Sequence, residues 1–198
     1  MLADFWFNLK LGLFHVLDWN AYDHVLFFIA LVATCSLNQY KKVFYLVSLF
    51  TLGHTLSLSL AAYNIMSVKS EVIEFLIPVS ILFTALLNIL WYKNNTKTSN
   101  PYLLYASTLF FGLVHGFGFS SYFNMISQST DHKLLMLIEF ALGVEMSQLI
   151  VVSLVLCVAF ILHTFFKVSK RDWTLVASAI VIGLCLPILK ETWLWANL

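Results

Sequence analysis

Charged residues are scarce in this sequence. Asp, Glu, Lys and Arg make up only 11% of the 198 residues, and the formal net charge at pH 7 is +1. A nucleic-acid-binding protein needs a strongly basic surface, which this balance does not supply. The composition therefore gives no support to a charge-driven function, and we predict no nucleic-acid partner.

Cysteine is scarce as well. The three cysteines, Cys35, Cys157 and Cys185, lie inside apolar runs, and none belongs to a C-x-x-C spacing. We interpret them as core or lipid-facing residues rather than as a disulfide framework or a thiolate metal site. The first residues also lack the basic start and cleavage site of a removable signal peptide, so we expect them to remain in the mature chain.

Hydrophobic residues are abundant instead. They make up 61% of the chain, and the mean hydropathy is +0.88, more than one soluble core of this size can bury. The apolar runs are long enough to cross a bilayer as helices, whereas barrel strands would show about 10 residues of alternating polarity. The sequence predicts an all-α, polytopic membrane helix bundle with six to seven transmembrane helices. We expect residues 1–198 to form a single transmembrane domain with no soluble domain.

Polar breaks divide the apolar runs into six predicted spans: 22–37, 43–63, 72–92, 102–126, 134–166 and 173–194. Residues 1–21 precede them as an outer interfacial or re-entrant segment, because Asn8 and Lys10 interrupt the apolar stretch 3–17. A seventh span over 3–17 is the alternative.

Lysine and arginine are distributed unevenly between the two sets of loops. One set carries seven of them: Lys41, Lys42, Lys93, Lys97, Lys167, Lys170 and Arg171. The other set carries four: Lys10, Lys69, Lys133 and Lys190. Because cytoplasmic loops carry the excess of positive charge, we predict that the first set is cytoplasmic and that both termini are extracytoplasmic.

Histidine and acidic side chains gather in the outer half of the predicted bundle. Six of them are candidate metal ligands: His15, Asp23, His24, His54, His115 and Glu145. An ionisable group inside a membrane costs at least a few kcal/mol unless it is paired or faces a wet cavity, so each is a functional candidate. Imidazole nitrogen with carboxylate oxygen suits Zn, Ni, Co, Fe or Mn, and the lack of nearby thiolates argues against Cu(I). We predict a divalent transition-metal site, with Zn or Ni first, and keep a metal-free polar network as the alternative.

Two neighbouring pairs refine this ligand set. Asp23 and His24 diverge by about 100° on a helix, so one can be a ligand and the other its orienting partner. Glu145 and Gln148 share a helix face, so Gln148 can hydrogen-bond a ligand or a bound water.

Several motifs follow one another along nearly the whole chain: GLFHVLDWNAYDHVLFFIAL, FTLGHTLSLSLA, IEFLIPVS, FFGLVHGFGFSSYF, FALGVEMSQLIVV and RDWTLVASAIVIGL. In this order and at these separations they resemble the HupE/UreJ family of membrane proteins, in particular the HupE/UreJ-like branch of Bacteroidetes-type bacteria. In the family's first motif, five residues separate a histidine from Asp-His, whereas seven residues separate His15 from Asp23 here. Asp23 and His24 match the motif.

The resemblance implies a multi-pass protein of the bacterial inner (cytoplasmic) membrane, with accessory roles beside hydrogenase and urease and a nickel or cobalt permease activity. The expected partners are a metal ion and membrane lipid, and further candidates are a second copy of the chain or a metalloenzyme-maturation protein.

Two mechanisms from different classes fit the predicted ligands. In a permease, the first motif captures the ion at the outer mouth, and His54, His115 and Glu145 hold it at mid-membrane. In a zinc-dependent hydrolase of lipid or lipid-linked substrates, the metal activates a water, Glu145 is the general base and Ser120 stabilises the oxyanion. A metal-loaded accessory protein without transport or catalysis is the third hypothesis.

Overall fold

The computed structural model describes residues 2–18, 22–94, 101–127 and 132–193. Regular structure in these ranges is helical: α1 Leu2–Val16, α2 Asp23–Val32, α3 Tyr40–Ala62, α4 Ser70–Asn94, α5 Pro101–Ser127, α6 Lys133–Phe165 and α7 Lys170–Glu191. A short 3-10 helix, Leu37–Gln39, leads into α3. Residues 1 and 19–21 of the predicted outer segment, and residue 194 of the last predicted span, lie outside the described ranges.

The lengths and compositions of the described helices are those of a membrane protein. Four stretches are long and apolar enough to cross a bilayer: Leu37–Ala62, Ser70–Leu90, Lys133–Phe165 and Lys170–Glu191. α2 is apolar but has only 10 residues. α6 has 33 residues, and at about 1.5 Å per residue it exceeds the ~30 Å hydrocarbon core, so it must tilt or project. The prediction of an all-α membrane protein is confirmed at this level.

Hydrogen bonds between helix ends define two ends of the bundle. At one end, which we call the upper end, Lys133 at the start of α6 donates to the carbonyl oxygen of Ala62 at the end of α3 (3.5 Å). At the other, the lower end, Thr174 at the start of α7 donates to the carbonyl oxygen of Ala33 just after α2 (2.9 Å). α3 therefore runs upward, and α6 and α2 run downward.

α1 and α2 follow one another from the upper end to the lower end, with a break between them. Asn8 of α1 donates to the carboxylate of Glu139 near the start of α6 (2.8 Å). One turn later, Gly12 lies against the backbone nitrogen of Val144, so α1 runs downward beside α6. α2 then continues from Asp23 to the lower end. Val16 in the last turn of α1 and His24 in the first turn of α2 are both buried in the bundle.

Glycines let pairs of helices approach until their backbones touch. A Cβ added at Gly112 of α5 would collide with the carbonyl oxygen of Phe50 on α3, and one at Gly116 with the carbonyl oxygen of His54. From the first contact to the second, the residue number rises by four on α5 and by four on α3, so α3 and α5 run parallel. Gly143 of α6 contacts the backbone of α1 in the same way. Small residues of this kind allow close packing where lipid supplies no hydrophobic driving force.

Two hydrophobic clusters fill the bundle, one above the other. The lower cluster includes Phe27 and Phe50 and joins α2, α3, α4, α6 and α7. The upper cluster includes Leu58 and Phe140 and joins α1, α3, α5 and α6. Phe50 and Leu58 lie about one turn to either side of His54 on α3. This histidine therefore lies at the boundary between the clusters.

The outward faces of the helices are apolar. Large side chains such as Leu52, Phe83, Leu154 and Ile180 are each at least half exposed. Their exposure is the arrangement expected for helices that contact lipid rather than water.

We expect Gly112→Ala to destabilise the bundle by about 1–3 kcal/mol, because the added methyl group meets the backbone of Phe50 rather than a side chain that can move. Gly183→Ala is the matched control, since a Cβ added there meets no atom within 4 Å. Thermal unfolding in detergent, followed by circular dichroism, measures the difference. Equal melting temperatures of the two variants would contradict the packing role of Gly112.

Candidate metal site

Four helices each contribute one histidine to the interior of the bundle. His15 is in the last turn of α1 and His24 is in the first turn of α2, so they lie on either side of the break. His54 is on α3 and His115 is on α5. The glycine contacts between α3 and α5 hold these two side by side. We call the four residues the histidine cluster.

Three of these rings lie at separations that suit a shared ion. One ring nitrogen from each of His15, His24 and His54 lies within 4.8 Å of the other two. Ligand nitrogens around a tetrahedral ion with bonds of 2.0–2.1 Å are about 3.3 Å apart. The ring centroids of His15 and His24 are 4.8 Å apart, and those of His24 and His54 are 6.0 Å apart. Small side-chain rotations are therefore enough to bring the three nitrogens to one ion.

His115 is the fourth member of the cluster. Its ring centroid is 5.1 Å from that of His24. Its Nδ1 atom lies 2.8 Å from the carbonyl oxygen of Phe111, and because a carbonyl oxygen can only accept, Nδ1 carries the proton. The Nε2 atom of His115 is left with its lone pair, which is the form that binds a metal.

Asp23 orients His24 in the same way. Its Oδ1 atom accepts from the backbone N–H of His24 (2.9 Å) and lies 3.2 Å from Nδ1 of that ring. A carboxylate accepts, so the ring proton is on Nδ1 and Nε2 carries the lone pair. This geometry favours His24 as the ligand and Asp23 as its orienting partner.

The Nε2 atoms of all four histidines are buried and have no hydrogen-bond partner within the described part of the chain. The exposed fraction is 3% for His24 and 1% for both His54 and His115. A buried polar atom without a partner costs about 1–3 kcal/mol. Four such nitrogens in one place are costly in an apolar bundle unless they share a ligand, and a cation is the ligand that accepts their lone pairs.

Phenylalanine rings enclose the cluster. On the upper side Phe119 and Phe140 stack on each other, with centroids 5.1 Å and planes 9° apart, and Phe119 lies 4.1 Å from the ring of His15. On the lower side Phe50 lies 5.1 Å from the ring of His115. The rings keep bulk water away, which strengthens electrostatic interactions with any ion that binds.

A cavity of about 350 Å³ lies at the upper end of the bundle. Its lining includes Asp4 and Asn8 of α1, His132, and Glu139 of α6. Glu139 is only 6% exposed and directly precedes Phe140, whose ring contacts the cluster. The cavity therefore brings acidic groups next to the aromatic pair that covers the histidines.

Two of the predicted site residues have partners of their own. Glu145 accepts a hydrogen bond from the Ser48 hydroxyl (2.6 Å). Ser120 donates to the carbonyl oxygen of Phe117 on its own helix (2.6 Å). The group whose ligand atoms all lie within 4.8 Å of one another, among the residues described, is His15, His24 and His54. The roles of Glu145 as ligand or base, and of Ser120 as oxyanion donor, stay predictions.

Sequence reasoning missed the aromatic pair and the glycines that place α1. Gly12 precedes His15 by three residues, and Gly112 precedes His115 by the same spacing. This repeated spacing is a signal that could have placed both histidines on close-packed helix faces. Phe119 and Phe140 offer no such signal, because nothing local distinguishes them from the other members of a set of 18 phenylalanines.

Removing a ligand of the cluster should weaken metal binding. We expect His24→Ala and His54→Ala each to lower the affinity for Ni²⁺, Co²⁺ or Zn²⁺ by about tenfold or more, because each loses a nitrogen ligand. His163→Ala is the control, since this ring contacts the carbonyl oxygen of Val168 near the end of α6 (2.7 Å). Titration calorimetry of the purified proteins in detergent gives the affinities. Unchanged affinity in both cluster variants would rule out a metal site here.

Asp23→Asn should weaken the same site by about 10–100-fold without removing a ligand, because an amide no longer fixes the proton on Nδ1 of His24. Asp172→Asn is the matched control: this exposed carboxylate accepts from the Ser169 hydroxyl at the start of α7 (2.7 Å). Titration calorimetry in detergent compares the metal affinities of the two variants. If Asp23→Asn binds metal as tightly as Asp172→Asn, Asp23 does not orient the ligand.

Comparison with known proteins identifies the family of this chain. A family model described as HupE / UreJ protein matches residues 2–194 of the chain. No curated protein and no solved structure matches. The match covers nearly the whole sequence and includes every histidine of the cluster, so the chain belongs to the HupE/UreJ family.

Proposed function

We propose that this protein is a transition-metal permease of the bacterial inner membrane, which carries nickel, cobalt or another divalent ion such as zinc. The observation that carries the proposal is the convergence of four buried Nε2 atoms from four helices, none of which has a hydrogen-bond partner among the described residues. Membership of the HupE/UreJ family, which is associated with nickel and cobalt transport, supports it independently.

The donor set fits these metals. His24 and His115 each present a neutral imidazole whose tautomer is fixed by an acceptor at Nδ1. Neutral imidazole is a good ligand for Ni²⁺, Co²⁺ and Zn²⁺, whereas Mg²⁺ and Ca²⁺ prefer oxygen ligands. The cluster would therefore select a transition metal over the more abundant hard cations.

The break between α1 and α2 suits a transport site. Transporters often place their substrates where a helix is interrupted, because the ends of the two half-helices face the ion. The C-terminal end of α1, which carries His15, has a partial negative charge that favours a cation. With 15 and 10 residues, α1 and α2 together have about 37 Å of helix, enough for one crossing. We infer six crossings, of which α1 and α2 share the first.

The distribution of positive charge orients the bundle. Lys41 and Lys42 at the start of α3, and Lys170 and Arg171 at the start of α7, lie at the lower end. This end is cytoplasmic by the positive-inside rule. The upper cavity then faces the extracytoplasmic side, where its acidic groups would attract an incoming cation. Both termini are extracytoplasmic in this arrangement.

A zinc-dependent hydrolase is the second candidate, because three histidines within 4.8 Å also suit a catalytic zinc ion. The residues around the histidine cluster favour a hydrolase less than they favour a permease. Phe119 and Phe140 cover the cluster on the upper side, where a substrate and an attacking water would need room. Glu145 bonds Ser48. A permease needs neither a water nor a general base.

Metal flux into liposomes tests the proposal. We expect the reconstituted protein to admit Ni²⁺ or Co²⁺ to a metal-sensitive dye, His115→Ala to abolish the flux, and His163→Ala to retain it. Flux should fall as the external pH is lowered, because a protonated imidazole cannot bind metal. Stoichiometric metal without flux would refute transport and leave an accessory role, and hydrolysis of an added lipid without flux would favour the enzyme.

A further inference from the structure

A row of polar side chains continues below the histidine cluster, between α3 and α6. It has two rungs, each of which joins the two helices. In the Thr51–Gln148 rung the Thr51 hydroxyl lies 2.9 Å from Oε1 of Gln148, and in the Ser48–Glu145 rung the Ser48 hydroxyl donates to Oε1 of Glu145 (2.6 Å). Because α3 runs upward and α6 runs downward, Thr51 lies above Ser48 whereas Gln148 lies below Glu145, so the two rungs cross at about the same level. We call these four residues the oxygen ladder: Ser48, Thr51, Glu145 and Gln148.

The spacing of the ladder makes it a continuation of the metal site. Thr51 is three residues from His54 on α3, and Ser48 is three residues further. Residues three apart lie on the same face of a helix, about 5–6 Å from each other. Because α3 runs upward and α6 runs downward, Thr51 and Ser48 lie below His54, and Glu145 and Gln148 lie below Phe140. The four residues therefore form one level beneath the histidine cluster.

The Thr51–Gln148 rung contains a buried polar atom that has no hydrogen-bond partner in the described part of the chain. Gln148 is fully buried, and its Nε2 atom has no hydrogen-bond partner among the residues described. The hydroxyl of Thr51 also lies 3.2 Å from the carbonyl oxygen of Val47, although it has only one proton to donate. In this orientation of the amide, the Thr51 proton has two acceptors and the Gln148 N–H groups have none.

Turning the amide of Gln148 by half a rotation gives the Thr51 proton a single acceptor and changes the unpartnered atom of Gln148 from nitrogen to oxygen. The Thr51 hydroxyl then donates to Val47, Nε2 of Gln148 donates to Thr51, and the carbonyl oxygen of Gln148 takes the place of the unpartnered nitrogen. The oxygen and nitrogen of a side-chain amide are distinguished by the hydrogen bonds that each forms. Here the bonds to Thr51 favour the turned orientation. The buried, unshared atom is thus an oxygen, which is a ligand for a cation.

We propose that the oxygen ladder is a second cation position, which takes the metal from the histidine cluster on its way to the lower end. The inference rests on the proposed transport function. The ladder offers an amide oxygen, two hydroxyls and the carboxylate of Glu145, whereas the cluster offers imidazole nitrogens. Oxygen ligands hold nickel or cobalt less tightly than imidazole. A transport path needs such a weaker site next to a stronger one, because an ion must leave as well as bind.

Variants of the ladder separate this role from that of the histidines. We expect Gln148→Met and Glu145→Gln each to lower Ni²⁺ or Co²⁺ flux into liposomes by about tenfold or more, while calorimetry still finds one tightly bound metal at the histidines. Thr51→Val should lower flux as well. Thr84→Val is its matched control, because Thr84 also donates to the carbonyl oxygen four residues earlier but lies on α4.

Titration with metal alone gives a second readout that does not depend on flux. The wild-type protein should bind a second, weaker equivalent of Ni²⁺ or Co²⁺ that Glu145→Gln lacks. Wild-type flux in all ladder variants, or loss of the tight equivalent along with the weak one, would overturn the second position. A wild-type protein that binds metal but shows no flux would refute transport, and the presence or absence of the weaker equivalent would still decide the ladder.

Discussion

Four buried imidazole Nε2 atoms with no hydrogen-bond partner among the described residues, enclosed in an apolar bundle, are the constraint around which this fold is arranged. In water each of these atoms would form a hydrogen bond, and in hydrocarbon each is a cost of about 1–3 kcal/mol. The glycine contacts of α3 with α5 and of α1 with α6 hold the four helices close enough for these nitrogens to meet. A cation bound at that point would offset the cost for all four at once, and metal binding would then stabilise the bundle.

The break between α1 and α2 brings opposite helix ends to the same site. The C-terminal end of α1 favours a cation, whereas the N-terminal end of α2 opposes one. Asp23 is the first residue of α2 and lies against His24. Its carboxylate neutralises the positive helix end and fixes the tautomer of the ligand. One acidic side chain thus removes the electrostatic disadvantage of starting a helix beside a metal ion.

The sequence predicted the class of fold and the histidines of the site, but not which helix faces pack together to form it. Low charge and long apolar runs were enough to predict an all-α membrane protein. The histidines were recognisable because an ionisable group at mid-membrane is costly without a role. His15 was harder to place, since its distance from Asp23 departs from the family motif. The structure nevertheless places its ring 4.8 Å from that of His24. Contacts such as Ser48 with Glu145 join residues 97 positions apart, and no local pattern specifies which helix faces meet.

The charges along the path give it a direction. A divalent ion among four neutral imidazoles is accompanied by the single negative charge of Asp23 in contact with His24, so the filled cluster retains positive charge in a medium of low dielectric constant. That excess favours movement toward the next anionic group. Glu139 lies above, beyond the ring of Phe140, and is already bonded to Asn8. Glu145 lies below, in the oxygen ladder. On the proposed transport path, an ion that had lost its water to reach the histidines would therefore find oxygen ligands and a compensating carboxylate on the lower side, and inward movement would be electrostatically favoured over return.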